Sequence, residues 1–503
     1  METEAIATAL SRWADLTPDK PAVVTRHGSI GYAALEARIG RVARALHRGG
    51  LDPGDRVAVC APNRVELVEL LFACSRLGVM LVVVNNRLTA HEIAVQFDDC
   101  RPTLVLADAA FADTIREATA GDFDDLDRFI ETAHSATGPG GETIGGSGAP
   151  DAGVLLVYTS GTTGRPKGAV LTNRSLLYTA RNGIEHEGFD QASVTVSVLP
   201  MFHVGGLNVQ LLPTLLAGGT VILEERFDPA RLVDLLVLHR PSHLLLVPAA
   251  MQAVLDRAAT ADLGIGEVMG SLGALNCGSS IVPVELIDRF ASNGVPVVQV
   301  YGATETGPTA IVLAYENADR VGSCGTPAAH TELRILLPSG DEAEPGQVGE
   351  LLVRGPNLFV RYWENPEATA SAFLDGWYRT GDLGYVDRDG FTYVTGRTKE
   401  LIISGGENIY PAEVEQCIER HPGVVAAAVL GTPDPRWGET PVAVVIAADD
   451  GGATEADLTS WTRTHLAGYK QPTRWVFVDS MPRTSLGKVQ KHHLRELLDS
   501  HRG

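Results

Sequence analysis

The stretch LLVYTSGTTGRPKGAVLTN (residues 155–173) joins an apolar strand to a loop rich in glycine and hydroxyl side chains. Gly161, Gly164 and Gly168 allow backbone N–H groups to converge on an anion, and Lys167 adds positive charge. Hydroxyl groups supply further hydrogen-bond donors at Thr159, Ser160, Thr162 and Thr163. The stretch therefore predicts a polyphosphate-binding loop after a buried strand. A flexible surface turn is the alternative, but the bias extends over eleven residues.

Lysine is rare in this chain, which makes each lysine worth inspecting. Only six of the 41 basic residues are lysines, namely Lys20, Lys167, Lys399, Lys470, Lys488 and Lys491. Lys offers a compact, flexible ammonium that the planar Arg guanidinium does not reproduce. The loop around Lys167 is not a Walker A loop, because Pro166 precedes the lysine and Gly168 follows it.

Four further motifs follow the loop in order. They are YGATETG at 301–307, WYRTGDLG at 377–384, GRTKELIISGGENIYP at 396–411 and PRTSLGKVQK at 482–491. Together the five motifs resemble those of the adenylate-forming enzymes, which include acyl-CoA synthetases, aryl-CoA ligases, firefly-type luciferases and peptide synthetase adenylation domains. The resemblance covers essentially the whole chain.

The resemblance implies a site for ATP and Mg²⁺. Glu305 and Thr159 would hold the metal, since Mg²⁺ prefers a few protein oxygens together with phosphate oxygens. Tyr301 could stack on the purine. The resemblance also implies nucleotide contacts from Gly302, Ala303, Thr304 and Ser279, although this chain has NCGSS at 276–280 where relatives often have GGAP.

Two charged residues are implied to bind the ribose. Asp382 has the pair of acceptors needed for two ribose hydroxyls, and Arg397 resembles the arginine that contacts ribose or phosphate. Each could instead belong to a surface ion pair worth at most about 1 kcal/mol.

The C-terminal motifs imply a moving domain. Lys399 resembles the hinge residue about which the small domain rotates, and Lys488 resembles the lysine that reaches the carboxylate and α-phosphate during adenylation. The resemblance places Ser404, Gly405 and Gly406 beside the pantetheine arm of coenzyme A; a tight turn and a solvated lysine are the alternatives. Two histidines and a lysine that follow are expected on a solvated helix face, namely Lys491, His492 and His493.

The segment MFHVGGLNV (201–209) resembles the family's acyl-pocket wall, and His203 corresponds to a residue that lines this pocket and gates the CoA tunnel. The predicted wall is apolar and consists of Met201, Phe202, His203, Val204, Met251 and Ala303. An apolar wall favours a fatty or aromatic monocarboxylic acid. Val300 stands where malonate-specific relatives have an arginine, and no cationic clamp for a dicarboxylate is evident. Peptide synthetase domains have an Asp in this region, and its absence argues against an amino acid.

The implied reaction is that of an ATP-dependent carboxylic acid–CoA ligase. Acid and ATP give acyl-AMP and pyrophosphate, and acyl-AMP and coenzyme A then give acyl-CoA and AMP. Lys167, Lys488, Glu305 and His203 are the candidate catalytic residues. An acyl-AMP ligase or a luciferase-like enzyme without CoA ligation remains open, as does a nucleotide-binding module without catalysis. A peptide synthetase domain is not favoured, since we expect no carrier segment after residue 503.

The fold class is predicted as α/β. Strands and helices alternate, for example helix Ala33–His47, strand Val57–Cys60 and helix Val65–Leu77, which favours buried parallel sheets. We expect a large AMP-binding domain over 1–398, built from two parallel or mixed α/β sheet subdomains and a small β-barrel-like layer at 318–396. A small, mobile α+β cap would follow over 399–503.

Composition excludes several classes of protein. The 503 residues have 62 acidic and 41 basic side chains, a net charge of −21, so no polyanion-binding surface and no nucleic-acid partner is expected. Six cysteines without metal-ligand spacing indicate a reducing compartment. No apolar run is long enough for a transmembrane segment. A cytoplasmic protein is predicted, and a homodimer is left open.

Overall fold

The computed structural model describes residues 4–136, 148–159, 166–278, 282–404, 407–434, 436–449, 452–484 and 487–500, and all structural statements concern these residues. The chain forms two compact units. Unit 1 comprises Met1–Gly278, Val284–Leu333 and Val353–Tyr378, and the main parts of unit 2 are Arg334–Leu352 and Arg379–Gly503. The domain boundary at Lys399 stays a prediction.

The described residues form the following strands and helices. The strands are β1 Pro21–Thr25, β2 Gly28–Gly31, β3 Arg56–Cys60, β4 Met80–Val83, β5 Leu104–Ala107, β6 Asp124–Asp125, β7 Gly153–Thr159, β8 Lys167–Thr172, β9 Val194–Ser197, β10 Thr220–Leu223, β11 His243–Leu246, β12 Leu275–Cys277, β13 Val297–Tyr301, β14 Ile311–Val312, β15 Thr326–Pro327, β16 Glu332–Leu336, β17 Gly349–Arg354, β18 Arg361–Tyr362, β19 Phe373–Leu374, β20 Trp377–Val386, β21 Thr392–Arg397, β22 Ile402–Ser404, β23 Glu407–Ile409, β24 Val424–Asp434, β25 Gly438–Ala447 and β26 Arg474–Phe477. The helices are α1 Ile6–Leu16, α2 Tyr32–Arg48, α3 Val65–Leu77, α4 Ala90–Cys100, α5 Ala112–Ala118, α6 Leu126–Ser135, α7 Asn173–Glu187, α8 Val204–Asn208, α9 Leu211–Leu216, α10 Pro229–His239, α11 Pro248–Thr260, α12 Ile265–Met269, α13 Val284–Ala291, α14 Pro366–Ala372, α15 Pro411–Glu419, α16 Glu455–His465 and α17 Lys491–Ser500.

Unit 1 contains two large sheets. One has seven strands in the order β18-β8-β7-β4-β3-β5-β6, and the other has nine in the order β15-β14-β13-β12-β11-β9-β10-β1-β2. The central pairs of both sheets are parallel, and the pairs at the edges are antiparallel except β5–β6, which is parallel. The predicted pair of parallel or mixed α/β sheets is confirmed. Continuous apolar strands such as Val57–Cys60 are buried, as is usual for strands of a parallel sheet.

The Gly-punctuated segment at 318–396 contributes to a small five-stranded sheet of β16, β17, β19, β20 and β21. Within it β20 pairs antiparallel with β21, so that Asp382 lies opposite Arg397. The expected small β layer is confirmed.

The C-terminal part of unit 2 forms a five-stranded sheet. Its strands follow the order β23-β22-β25-β24, and β26 pairs with β25. Successive residues of β24 point to opposite faces, so Ala427 and Val429 belong to one apolar cluster and Ala428 and Leu430 to another. Helices α15 and α16 contribute to the first cluster, and α17 contributes to the second through Leu494 and Leu498. The predicted α+β texture of this region is confirmed.

All six cysteines are buried free thiols, as expected for small apolar residues. None of the helices in the described ranges combines the length and apolar character needed to cross a bilayer.

Candidate active site

The ends of the predicted phosphate loop are fixed by a β-hairpin in unit 1. Strand β7 ends at Thr159, β8 begins at Lys167, and these two residues lie opposite each other. Val154, Leu155 and Leu156 of β7 are fully buried, so the hairpin is anchored in the core. Five predicted loop residues lie outside the described residues, namely Ser160, Gly161, Thr162, Thr163 and Gly164.

Glu305 is the centre of a compact cluster at this hairpin. Its Oε1 accepts a hydrogen bond from the Tyr362 hydroxyl at 2.9 Å and lies 3.4 Å from the Thr159 hydroxyl, which donates to it. Lys167 Nζ lies 5.1 Å from the centre of the Tyr362 ring. The Glu305 side chain is buried. Three residues predicted from separate motifs, Thr159, Lys167 and Glu305, are therefore neighbours.

The tyrosines around Glu305 remain neutral hydrogen-bond donors. Burial raises the pKa of the Tyr362 and Tyr378 hydroxyls, and the Glu305 charge raises it further. A neutral hydroxyl that donates to Glu305 leaves the negative charge of this carboxylate available to a cation.

The YGATE segment forms a tight turn at the end of β13. The Ala303 N–H donates to the Thr306 hydroxyl at 2.8 Å, which closes the turn. A Cβ on Gly302 would lie 2.6 Å from the Pro308 carbonyl, so only glycine fits there. Tyr301, Ala303 and Thr304 are half-buried beside it. Predicted nucleotide contact Ser279 lies outside the described residues.

The predicted acyl wall is buried and its loop is anchored. Met201, Phe202, Val204 and Met251 are buried, while Ala303 and His203 are half-buried. The backbone N–H of Met201 donates to Asn63 Oδ1 at 2.8 Å. The chain then packs so closely that a Cβ on Gly206 would lie 2.3 Å from the Pro200 carbonyl oxygen.

His203 is neutral at physiological pH. Burial lowers its pKa to about 4, and the nearby positive charge of Arg87 acts in the same direction. Its ring lies 4.9 Å from that of Phe202. An uncharged imidazole suits the wall of an apolar pocket.

In unit 2, Asp382 and Arg397 form an ion pair. Arg397 Nε lies 2.8 Å from Asp382 Oδ1, and the Asp382 side chain is only 8% exposed. The ion pair weighed as an alternative therefore exists, but its carboxylate is buried rather than at the surface.

Lys488 lies among charges of both signs in unit 2. The pKa of Lys488 is lowered, mainly by burial and also by the charge of Arg397, although Glu400 and Asp382 act in the opposite direction. Lys399, the predicted hinge, lies between Arg397 and Glu400 in sequence. Ser404 is buried at the end of β22. The two predicted glycines next to it, Gly405 and Gly406, lie outside the described residues.

One expectation for this region is wrong. Lys491 is not on a solvated face: its Nζ lies 2.9 Å from Glu400 Oε2 and 2.7 Å from Glu415 Oε1. Leu494 and Leu498, three and seven residues after Lys491, are buried in the second apolar cluster, so Lys491 lies on the buried side of α17 and not on its solvated side. His492 and His493 are exposed, as expected.

Comparison with known proteins decides the family. The family model described as AMP-binding enzyme matches residues 10–363, and that of the AMP-binding enzyme C-terminal domain matches residues 413–488. This chain belongs to the AMP-binding enzyme family. The resemblance drawn from the five motifs is confirmed.

Several relatives match this chain over nearly its whole length. It is 39% identical to a feruloyl-CoA synthase of Amycolatopsis sp, covering 98% of this chain and 99% of the relative. It is 38% identical to an indoleacetate–CoA ligase of Aromatoleum aromaticum, covering 97% and 98%. The solved o-succinylbenzoate CoA synthetase of Bacillus subtilis in complex with ATP and magnesium ion is 32% identical, covers 97% and 99%, and has a TM-score of 0.87.

Two residues of this chain fit a magnesium ion that takes most of its ligands from phosphate oxygens. Glu305 and Thr159 offer a carboxylate and a hydroxyl oxygen side by side, the hard donors that Mg²⁺ prefers. No group of three or more His, Cys, Asp or Glu side chains suited to a metal occurs in the described part of the chain. A site with few protein ligands is what ATP-bound Mg²⁺ requires.

Sequence reasoning missed Tyr362 and Arg87 in the AMP-binding enzyme. Tyr362 reaches Glu305 because β18 pairs with β8 across almost two hundred residues, and Tyr362 lies opposite Ala169. Neither residue stands in one of the five motifs, so no local signal marks it.

Proposed function

We propose that this chain is an ATP-dependent carboxylic acid–CoA ligase whose substrate is an aromatic monocarboxylic acid. The cluster of Thr159, Lys167 and Glu305 at the β7–β8 hairpin carries the proposal, because it joins a phosphate loop to a carboxylate suited to Mg²⁺. The matches to CoA ligases of aromatic acids over 97–98% of the chain support the same reaction.

The reaction proceeds in two displacements. A carboxylate oxygen of the acid forms a bond to the α-phosphorus of ATP while the bond from that phosphorus to pyrophosphate breaks. The thiol sulfur of coenzyme A then bonds to the acyl carbon, the acyl–AMP bond breaks, and the thiol proton passes to solvent. Positioning and charge neutralisation suffice, since AMP and pyrophosphate are good leaving groups.

The roles of the site residues follow from this chemistry. Lys167 would neutralise phosphate charge, Glu305 and Thr159 would hold Mg²⁺, and Asp382 and Arg397 would bind the ribose. When bound, Mg²⁺ neutralises charge on the phosphates. Lys488 would contact the carboxylate and α-phosphate during adenylation, whereas Ser404 and the glycines after it would lie beside the pantetheine arm. Lys399 would act as the hinge between these two states, and Tyr301 would stack on adenine.

The acyl group would lie against the wall of Met201, Phe202, Val204 and Met251, with His203 as a neutral member. Burial of most of this wall favours an apolar body in the acid. A cytoplasmic location stays a prediction, and a homodimer stays open.

Acid-dependent pyrophosphate release, with and without coenzyme A, tests the proposal. Cinnamic, benzoic, indole-3-acetic and fatty acids are offered in turn, and thioester formation is followed by mass spectrometry. We expect pyrophosphate with at least one aromatic acid and a thioester only when coenzyme A is present. Release of pyrophosphate without any thioester would instead establish an acyl-AMP ligase.

A further inference from the structure

The first residue of α17 is a lysine that the proposed reaction does not use. Lys491 Nζ lies 2.9 Å from Glu400 Oε2 and 2.7 Å from Glu415 Oε1, and the Lys491 side chain is only 20% exposed. The same Glu415 oxygen accepts a hydrogen bond from the Val429 N–H of β24 at 2.7 Å. Lys491 therefore joins α17 to α15 and to the segment after β21. We call Lys491, Glu400 and Glu415 the lysine bridge.

Lys488 lies in a turn that leads directly into α17. The Thr484 N–H donates to the Lys488 carbonyl oxygen at 2.7 Å, and the Lys488 N–H donates to the Thr484 hydroxyl at 3.1 Å. Arg483 and Val489 face each other across this turn as an antiparallel bridge. Only two residues separate Lys488 from Lys491 in sequence. The lysine bridge therefore fixes the end of the turn that carries Lys488.

Glu400 is the carboxylate of the lysine bridge that also acts on Lys488. Burial acts to raise the pKa of Glu400, but the positive charges of Lys491 and Lys488 lower it below its ordinary value. Burial lowers the pKa of Lys488, and of the two carboxylates Glu400 acts the more strongly in the opposite direction. Lys488 itself forms no ion pair with a described residue. Glu400 therefore attracts the Lys488 ammonium without holding it.

Direct contact with Lys491 limits the attraction between Glu400 and Lys488. Arg397 also acts on Glu400, but its guanidinium is paired with Asp382 at 2.8 Å. Without the Lys491 ammonium, Glu400 would lose its contact cation. Partly buried charges attract each other more strongly than exposed ones, because water and salt screen them less. Lys488 would then be drawn into an ion pair with Glu400 and away from the substrate.

We propose that Lys491 is a positioning residue for adenylation, which keeps the Lys488 ammonium available to the substrate by neutralising Glu400. The proposal rests on the proposed function, in which Lys488 contacts the acid carboxylate and the α-phosphate, and adds a residue that touches neither. Glu400, Glu415 and both lysines follow the proposed hinge Lys399 in sequence, so the lysine bridge would move together with Lys488. Its effect is therefore confined to the step that uses Lys488.

Separate assays of the two half-reactions test the proposal. Pyrophosphate release is measured with saturating ATP and the acid that the parent chain uses fastest. Thioester formation is measured from coenzyme A and the supplied adenylate of the same acid. We expect Lys491→Met to lower pyrophosphate release by about 10-fold or more, since a small displacement of a catalytic group has a large effect on rate. Thioester formation should change by less than about 2-fold, because Lys488 takes no part in it.

Two double variants separate positioning from stability. Glu400→Gln and Glu415→Gln each remove one of the two carboxylates that Lys491→Met leaves without a cation, and each preserves the size of the side chain. Stability should therefore recover to a similar extent in both double variants. Only Glu400→Gln removes the charge that draws Lys488 away. Pyrophosphate release should return to within about 3-fold of the parent chain with Glu400→Gln and stay low with Glu415→Gln.

Lys470→Met is the matched control for loss of a lysine from unit 2. Lys470 pairs with Glu413, whose carboxylate is exposed, so both half-reactions should stay unchanged. The positioning role would be overturned by an equal loss of both half-reactions in Lys491→Met, by unchanged pyrophosphate release, by the same loss in Lys470→Met, or by equal recovery in the two double variants. Absence of acid-dependent pyrophosphate from the parent chain would instead overturn the proposed function itself.

Discussion

Glu305 is held in place by two hydroxyl groups within unit 1. Tyr362 and Thr159 both donate to the same oxygen, Oε1, so the carboxylate has a defined orientation. Preorganised oxygen donors bind a metal ion more tightly than mobile ones because less ordering is needed on binding.

Replacement of Glu305 is expected to lower the apparent affinity for Mg²⁺. Glu305→Gln removes the charge but keeps the shape, so the Mg²⁺ concentration that gives half-maximal pyrophosphate release rises by about 10-fold or more. Tyr362→Phe removes one hydrogen bond and gives a smaller rise. An unchanged magnesium dependence in Glu305→Gln would contradict the metal-binding role.

His203 makes stability depend on pH in a defined direction. Its pKa in the folded chain is about 4, below the ordinary 6.5, so the unfolded chain binds more protons between these values. The free energy of unfolding therefore falls as the pH drops from 6.5 toward 4. Between pH 7 and pH 5 the parent chain should lose about 2 kcal/mol more than His203→Gln.

Urea unfolding at the two pH values measures this difference. His492→Gln is the matched control, since it removes an exposed histidine instead. Identical pH dependence in the parent chain and His203→Gln would show that His203 is not buried as a neutral ring.

Motifs predict residues whose partners are close in sequence or shared by a family. Thr159, Lys167 and Glu305 were predicted in this way, and the structure brings them together. Tyr362 was missed because its position beside Glu305 arises from strand pairing between distant segments.

At the scale of elements, the α+β character of the C-terminal region was predicted, but the burial at the second face of its sheet was not. The alternating faces of β24 require cover on both sides, and α17 supplies cover with Leu494 and Leu498. Lys491 was expected to be solvated because periodicity alone does not reveal two carboxylates on other segments. Glu400 and Glu415 provide them.

Loss of the Lys491 ammonium is expected to loosen α17. Lys491→Met leaves Glu400 and Glu415 without their cation in a partly buried position, which costs about 3 kcal/mol. Hydrogen exchange of the α17 amides in the full chain should then become about 100-fold faster.

Lys470→Met provides the matched control. Lys470 pairs with Glu413, whose carboxylate is 44% exposed, so the loss is at most about 1 kcal/mol. Equal effects of the two substitutions would show that the Lys491 ion pairs add nothing beyond an ordinary surface pair.

At the scale of the whole molecule, the order of five motifs predicted the family, and the alternation of strands and helices predicted the parallel sheets of unit 1. The same motifs did not predict which acid is used, because specificity depends on pocket side chains that approach each other only in the folded chain. Apolar residues in a pocket wall limit the shape of the substrate, whereas buried polar atoms determine where a substrate group can form a hydrogen bond.

We expect a substitution at Lys488 to affect the two half-reactions differently. Lys488→Ala should lower acid-dependent pyrophosphate release by about 100-fold or more, because a charge that stabilises the adenylation transition state is lost. Formation of acyl-CoA from supplied acyl-AMP should stay largely intact. An equal loss in both half-reactions would contradict a role confined to adenylation, and unchanged adenylation would contradict any catalytic role.

Transfer of oxygen from the acid to AMP tests the central claim most directly. An aromatic acid labelled with ¹⁸O in both carboxyl oxygens is incubated with the enzyme, ATP, Mg²⁺ and coenzyme A. The ¹⁸O content of AMP and pyrophosphate is then measured by mass spectrometry. Attack of the carboxylate on the α-phosphorus predicts one ¹⁸O atom in AMP and none in pyrophosphate. Label in inorganic phosphate together with ADP, or acyl-CoA formed without label in AMP, would contradict an acyl-adenylate route.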